Sequence, residues 1–272
     1  MAQYVFNPSD FVAPSAKPMP VFLVLDNSGS MRGDKIDSLN LAVRDMLEEF
    51  KKAGCSAVAF QIAIVTFGTG IHLLQDMTDS VAIQWKDIPI SDTDSCRGWK
   101  GKWDYASARG TPLGQTLKIV KAMIEDRLVV PSRSYRPAII LVSDGHPTDS
   151  WNDALNAFTQ ESRSSKCDRW AMAIGRDADP NVLKKFIAGI KNDDGTPRQL
   201  LYAGNAKSLL DNFKYITMSV TNSVAIASKS KVLTVKPISV KATELSDGDK
   251  IAGYKHKPEV SKDQGEDGGF FW

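Results

Sequence analysis

Two short runs without a polar side chain, residues 21–25 (VFLVL) and 138–142 (AIILV), set the strongest limit on the fold. Each is too short for a helix face and too apolar for a strand with one wet side. Such runs fit strands buried on both faces, as in parallel sheets covered by helices. After the first, Ile36, Leu39, Val43, Met46, Leu47 and Phe50 recur at helical spacing and predict a helix over about 35–52. The stretch VAFQIAIVTFGTGIHLLQD reads as two strands joined at Gly68-Thr69-Gly70, an antiparallel hairpin. Thr111-Pro112 places a hydroxyl and a proline where a helix begins, with Leu117, Val120, Ile124 and Leu128 carrying it on. Beyond the second run, the pattern predicts a helix over about 151–163, a strand at RWAMAIG and a helix over 180–190. A last strand at RQLLYAG and a last helix over about 206–222 follow. The expected fold class is therefore α/β: a doubly wound, mostly parallel sheet with one antiparallel hairpin strand and a C-terminal extension.

Both apolar runs end in oxygen-bearing side chains. The first leads into DNSGSM, with Asp26, Ser28 and Ser30 at alternate positions, and the second into SDGHPTD, with Asp144. In parallel sheets ligands gather at the carboxyl ends of the strands, where these loops fall. A hard divalent cation takes oxygen ligands, and magnesium keeps several waters in near-octahedral geometry. Asp26, Ser28 and Ser30, joined by the Thr111 hydroxyl and the Asp144 carboxylate, offer five such groups from three loops. Two of the five carry charge, so a bound divalent ion is just neutralised and still attracts an outside anion. Taken singly, the serines also read as turn residues and Asp34 as a helix cap; their company is what speaks for a metal.

DNSGSM resembles the D-x-S-x-S signature of von Willebrand factor A (VWA) domains, RGTPLG resembles that family's threonine loop, and LVSDGHPTD resembles its aspartate loop. The resemblance runs over residues 19–222 with the three motifs in family order. It implies a Rossmann-like VWA fold and a metal-ion-dependent adhesion site (MIDAS) at Asp26, Ser28, Ser30, Thr111 and Asp144. Mg2+ is the implied cofactor, with Mn2+ and Ca2+ as alternatives, and a protein partner's Asp or Glu carboxylate is the implied ligand. With FKYITMSVTNSV near the end, the pattern looks most like bacterial TerY-type domains. That implies a scaffold or regulator in a stress-response, phage-defence or tellurium-resistance-type complex, with a kinase and a phosphatase as partners. The expected division is a leader over 1–18, the VWA domain over 19–222 and an extension over 223–272.

Composition removes other classes. A net charge of +2 on 272 residues gives no reason to expect nucleic acid or an anionic membrane. No apolar run reaches the roughly 20 residues that span a bilayer, and the N-terminus lacks the pattern of a secretory signal. Cys55, Cys96 and Cys167, odd in number and far apart, suggest free thiols in a reducing compartment, so a cytoplasmic location is expected.

The enzymatic alternative is a Mg-dependent hydrolase or phosphotransferase using the same acidic loops. It wants a second acid where Ser28 stands and a lysine near Asp144, where the sequence shows none nearby. No G-x-x-x-x-G-K-[ST] loop or G-x-S-x-G elbow is present. A Ser28–His146 pair is conceivable, but His146 reads better as a loop residue touching a partner. No catalytic residue is expected. Trp99 and Trp103, leading into Thr111, are candidate aromatic anchors for a partner, while Trp99, like Trp85, also reads as cover for the sheet edge. Phe270, Phe271 and Trp272 form a second candidate anchor, for a partner's groove or for this domain's own core.

Overall fold

The computed structural model describes residues 16–54, 57–91, 110–176 and 178–227, and of 105–106 the backbone alone. Among the described residues seven strands and five α-helices form one sheet with helices on both faces. In chain order they are β1 (Lys17–Asp26), α1 (Asp34–Ala53), β2 (Val58–Phe67), β3 (Gly70–Asp79), β4 (Tyr105–Ala106) and α2 (Leu113–Glu125). Then come β5 (Ala138–Ser143), α3 (Asn152–Gln160), β6 (Asp168–Ile174), α4 (Pro180–Ile187), β7 (Leu201–Ala203) and α5 (Ala206–Ala227). The sheet order is β4-β3-β2-β1-β5-β6-β7. β1 pairs in parallel with both β2 and β5, while β3 runs antiparallel to β2 and closes the predicted hairpin.

The alternation of β1 explains the two layers. Val21, Leu23 and Leu25 face a core shared with α1 and α5, where Phe50 and Phe60 stack at 4.8 Å. Phe22 and Val24 face the opposite core, closed by α2, α3 and α4. Each of these β1 residues is fully buried, which is why the run carries no polar alternation. α1 lays Ile36, Leu39, Val43, Met46, Leu47 and Phe50 on the sheet, and puts Asp34 and Asp37 in its first turn and Lys51 and Lys52 in its last. That charge order suits the helix dipole. Trp85 packs against the same core, in keeping with its reading as a cover for the sheet. No helix of the described residues is long and apolar enough to cross a membrane.

Several boundaries differ from expectation. α2 begins at Leu113 with Pro112 at its N-cap and no cap from Thr111. Asp149 supplies the cap instead, its two carboxylate oxygens accepting the N–H groups of Gly114 and Gln115 at 2.9 and 2.8 Å. α2 also stops at Glu125, leaving Leu128 on a turn and 94% exposed. There Asp126 accepts the Leu128 N–H at 2.8 Å and redirects the chain. α3 and α4 are shorter than predicted, and α5 runs on to Ala227. Asp34 does not cap α1; Gly33 holds that position with φ 81°. Trp99, Trp103, Phe270, Phe271 and Trp272 lie outside the described residues, as do Cys55, Cys96 and residues 1–15 of the leader, while β1 already begins at Lys17, inside the span expected for the leader.

Candidate metal centre

β1 lies between β2 and β5, so the chain leaves its carboxyl end in one direction and returns on the other side. This is the switch point of the sheet, where a crevice opens between adjacent loops. Asp26 is the last residue of β1 and Asp144 follows the last residue of β5; both are 0% exposed. Neighbouring parallel strands thus bring together two carboxylates far apart in sequence.

Asp26 is held at both oxygens. Oδ1 accepts the Ser28 N–H at 2.9 Å and Oδ2 accepts the Ser143 hydroxyl at 2.8 Å. Burial still pushes its pKa above the usual carboxylate value, and the nearby Asp144 pushes the same way, against the lowering effect of the Ser28 and Ser143 hydrogen bonds. A buried carboxylate in this state gains from a cation. Asn27, between Asp26 and Ser28, turns the other way. Its N–H donates to Phe67 O at 3.0 Å, its carbonyl accepts from Ser91 N at 2.7 Å and its Nδ2 donates to Pro89 O at 2.9 Å. The loop is thereby pinned while Asp26, Ser28 and Ser30 stay on the site side.

From Ser28 a chain of oxygens leads to the second carboxylate. Ser28 Oγ lies 2.9 Å from Ser30 Oγ, and the Ser30 hydroxyl donates to Asp144 Oδ1 at 2.8 Å. Because Ser30 gives its proton to Asp144, Ser28 is the donor in the first of these bonds. Ser30 is exposed and Ser28 nearly buried, so the cluster opens to solvent at Ser30 above the two acids. The donor chemistry fits a hard divalent ion. Ligands at about 2.1 Å on adjacent corners of an octahedron stand about 3 Å apart, close to the spacing of the two serine oxygens. Among the described residues no group of three or more His, Cys, Asp or Glu is placed to hold a metal, so the donor set rests on hydroxyls as much as on acids.

Thr111 joins through the other half of the aspartate loop. Its N–H donates to Thr148 Oγ1 at 2.8 Å, and its carbonyl accepts the Thr148 N–H at 3.0 Å. Gly110 makes this clasp possible: its φ of 149° suits glycine, and a Cβ there would fall 2.1 Å from Thr148 Oγ1. Thr111 is 7% exposed, and its hydroxyl lies 4.0 Å from where a Cβ on Gly145 would stand, against the residue after Asp144.

One expectation needs correction. A lysine does stand beside Asp144: Lys35 Nζ donates to Asp144 Oδ2 at 2.6 Å. The sequence hides it because Lys35 opens α1, on the other side of the switch point. Ser28 and His146 are each paired elsewhere, Ser28 with Ser30 and His146 Nδ1 with Asp179 Oδ2 at 3.3 Å. The His146 side chain is 71% exposed. Lys35, Asn27, Ser143 and Asp149 are the contributors that sequence reasoning missed; Asn27, Ser143 and Asp149 lie inside the quoted motifs, whereas Lys35 has no such signal.

Comparison with known proteins agrees with the fold. The family model described as von Willebrand factor type A domain matches residues 21–146. No curated protein matches the sequence. Among solved structures, proximal thread matrix protein 1 from the mussel byssus is similar at 15% identity and TM-score 0.52, covering 76% of this chain and 49% of its own. The same mussel protein with a zinc-occupied MIDAS motif is similar at 14% identity and TM-score 0.51, with the same two shares covered. A von Willebrand factor type A protein from Catenulispora acidiphila is similar at 17% identity and TM-score 0.50, covering 76% of this chain and 43% of its own. The chain therefore spans a little under half the length of these structures, and at such identities the likeness speaks for the fold.

Proposed function

We propose that this chain, which carries a von Willebrand factor type A domain, binds a divalent cation at Asp26, Ser28, Ser30, Thr111 and Asp144 and through it holds a carboxylate of a protein partner. The observation that carries this reading is the run from Ser28 through Ser30 to Asp144, at 2.9 and 2.8 Å, beside the fully buried Asp26 carboxylate. When bound, the ion supplies a Lewis-acid position for an outside oxygen. The protein fixes the oxygens through Asn27, Ser143 and the Thr111–Thr148 clasp, and leaves the opening at Ser30. A structural neighbour holds zinc at its MIDAS motif. Here a donor set of hydroxyls and carboxylates, with neither cysteine nor histidine, favours Mg2+, with Mn2+ or Ca2+ next.

The finer reading is a scaffold or regulator of TerY-type, in a cytoplasmic stress-response, phage-defence or tellurium-resistance-type complex with kinase and phosphatase partners. It rests on the sequence resemblance alone. The proposal includes no catalytic role. The Mg-dependent hydrolase or phosphotransferase alternative gains a lysine at Asp144 but still lacks an acid at position 28. His146, two residues past Asp144 and largely exposed, remains a candidate for touching a partner.

Affinity capture with the full chain tests the proposal. A protein should be retained by wild type in Mg2+, lost in chelator, and not retained by Asp26→Ala. Capture that ignores both chelator and substitution contradicts it. Turnover of phosphate esters lost on Ser28→Ala would replace it with the enzymatic reading.

A further inference from the structure

Lys35 sits in the first turn of α1, where the helix dipole disfavours a cation. It nonetheless reaches across the switch point, with its Nζ 2.6 Å from Asp144 Oδ2. Asp144 is fully buried while the Lys35 side chain is 31% exposed, so the ammonium approaches from the solvent side. Gly175, at the end of β6 with φ 74°, forms the wall of this approach; a Cβ there would lie 3.5 Å from both Lys35 Cε and Nζ. Ser30 holds Oδ1 of the same carboxylate, so both Asp144 oxygens are engaged, one by a proposed ion ligand and one by a fixed positive charge.

We propose that Lys35 is a tethered rival of the divalent ion: it neutralises Asp144 in the ion-free site, weakens ion binding, and leaves the loaded site with one surplus positive charge that selects an anionic ligand. The inference rests on the metal reading above. Asp26 and Asp144 contribute two negative charges and Lys35 one positive, so an arriving ion meets a net charge of one, where the carboxylates alone would present two. Loaded, the site carries a positive charge that a partner carboxylate removes. Ion binding and partner binding are therefore coupled: each favours the other.

The test titrates Mg2+ alone into the full chain by calorimetry, for wild type, Lys35→Met and Lys35→Arg, and melts each protein in chelator and in saturating Mg2+. Lys35→Met should bind Mg2+ roughly tenfold more tightly, as removal of a nearby like charge requires. It should melt below wild type in chelator, where Asp144 loses its partner, and close that gap in Mg2+. Lys35→Arg should behave as wild type. A lysine with only a structural role would lower both melting temperatures alike and leave the affinity unmoved. If Lys35→Met fails to fold, Lys35→Gln serves in its place. Equal or weaker Mg2+ affinity in the folded neutral variant overturns this inference alone. Wild type that binds no Mg2+ overturns the metal reading and this inference with it.

Discussion

Ser30 and Asp144, 114 residues apart, share a 2.8 Å hydrogen bond that ties the loop after β1 to the loop after β5. Through it the exposed serine is aimed by a buried acid across the switch point. Ser30→Ala removes one oxygen of the proposed set without opening a buried cavity. Mg2+ affinity should fall roughly tenfold or more, the scale on which support of a metal site is lost. Melting in chelator should fall modestly, because the buried Asp144 carboxylate loses a hydrogen-bond donor. Calorimetric titration and paired thermal melts check both parts.

Asp26 gives a pH signature. Burial raises its folded-state pKa above the value in the unfolded chain. A raised acid pKa contributes stability that is fully present below the unfolded value of about 3.8 and is lost as pH rises through the folded one. Asp26→Asn keeps an oxygen for the Ser28 N–H and removes the buried charge. In chelator the variant should therefore be more stable than wild type at neutral pH, with the difference shrinking as pH falls through the folded pKa of Asp26. Denaturant melts of both proteins across that window measure it. In Mg2+ wild type should regain ground, and the variant should not respond.

Asp149 caps α2 from a different loop, so its effect reaches beyond the helix. Asp149→Ala leaves the Gly114 and Gln115 N–H groups without their acceptor and should cost about 1 kcal/mol, up to about 2. Because the cap and the Thr148 clasp hold the Thr111 loop together, Mg2+ affinity should weaken as well. Urea melts combined with ion titration separate the two effects.

Cys167 should be chemically silent in the native protein. It is fully buried, and burial pushes its thiol pKa up to about 12, so almost no thiolate exists at neutral pH. Its labelling by a thiol reagent, followed by mass spectrometry of the peptide, should await unfolding.

The layers of the fold were legible in the sequence because the two central strands are buried on both faces and announce themselves as unbroken apolar runs. The hairpin at Gly68 was legible for a similar local reason. What escaped depended on contacts between distant residues. Thr111-Pro112 carries the local chemistry of a helix start, yet the cap comes from Asp149, which no window around Thr111 contains. The helical spacing through Leu128 persists one turn beyond α2, because periodicity does not register the Asp126 turn that ends it. Asp26, Ser28, Ser30 and Asp144 were found as motif residues, and the fold supplies the reason they meet. Lys35 has no motif; its approach to Asp144 exists only once α1 and β5 flank the same strand.

The most direct measurement is an anomalous difference map from crystals of the full chain grown with Mn2+ in place of Mg2+. One ion should appear about 2.1–2.2 Å from the Ser28 and Ser30 hydroxyl oxygens, on the side facing Asp26 and Asp144. An ordered crystal with manganese bound elsewhere, or with no peak among these residues, would contradict the central claim.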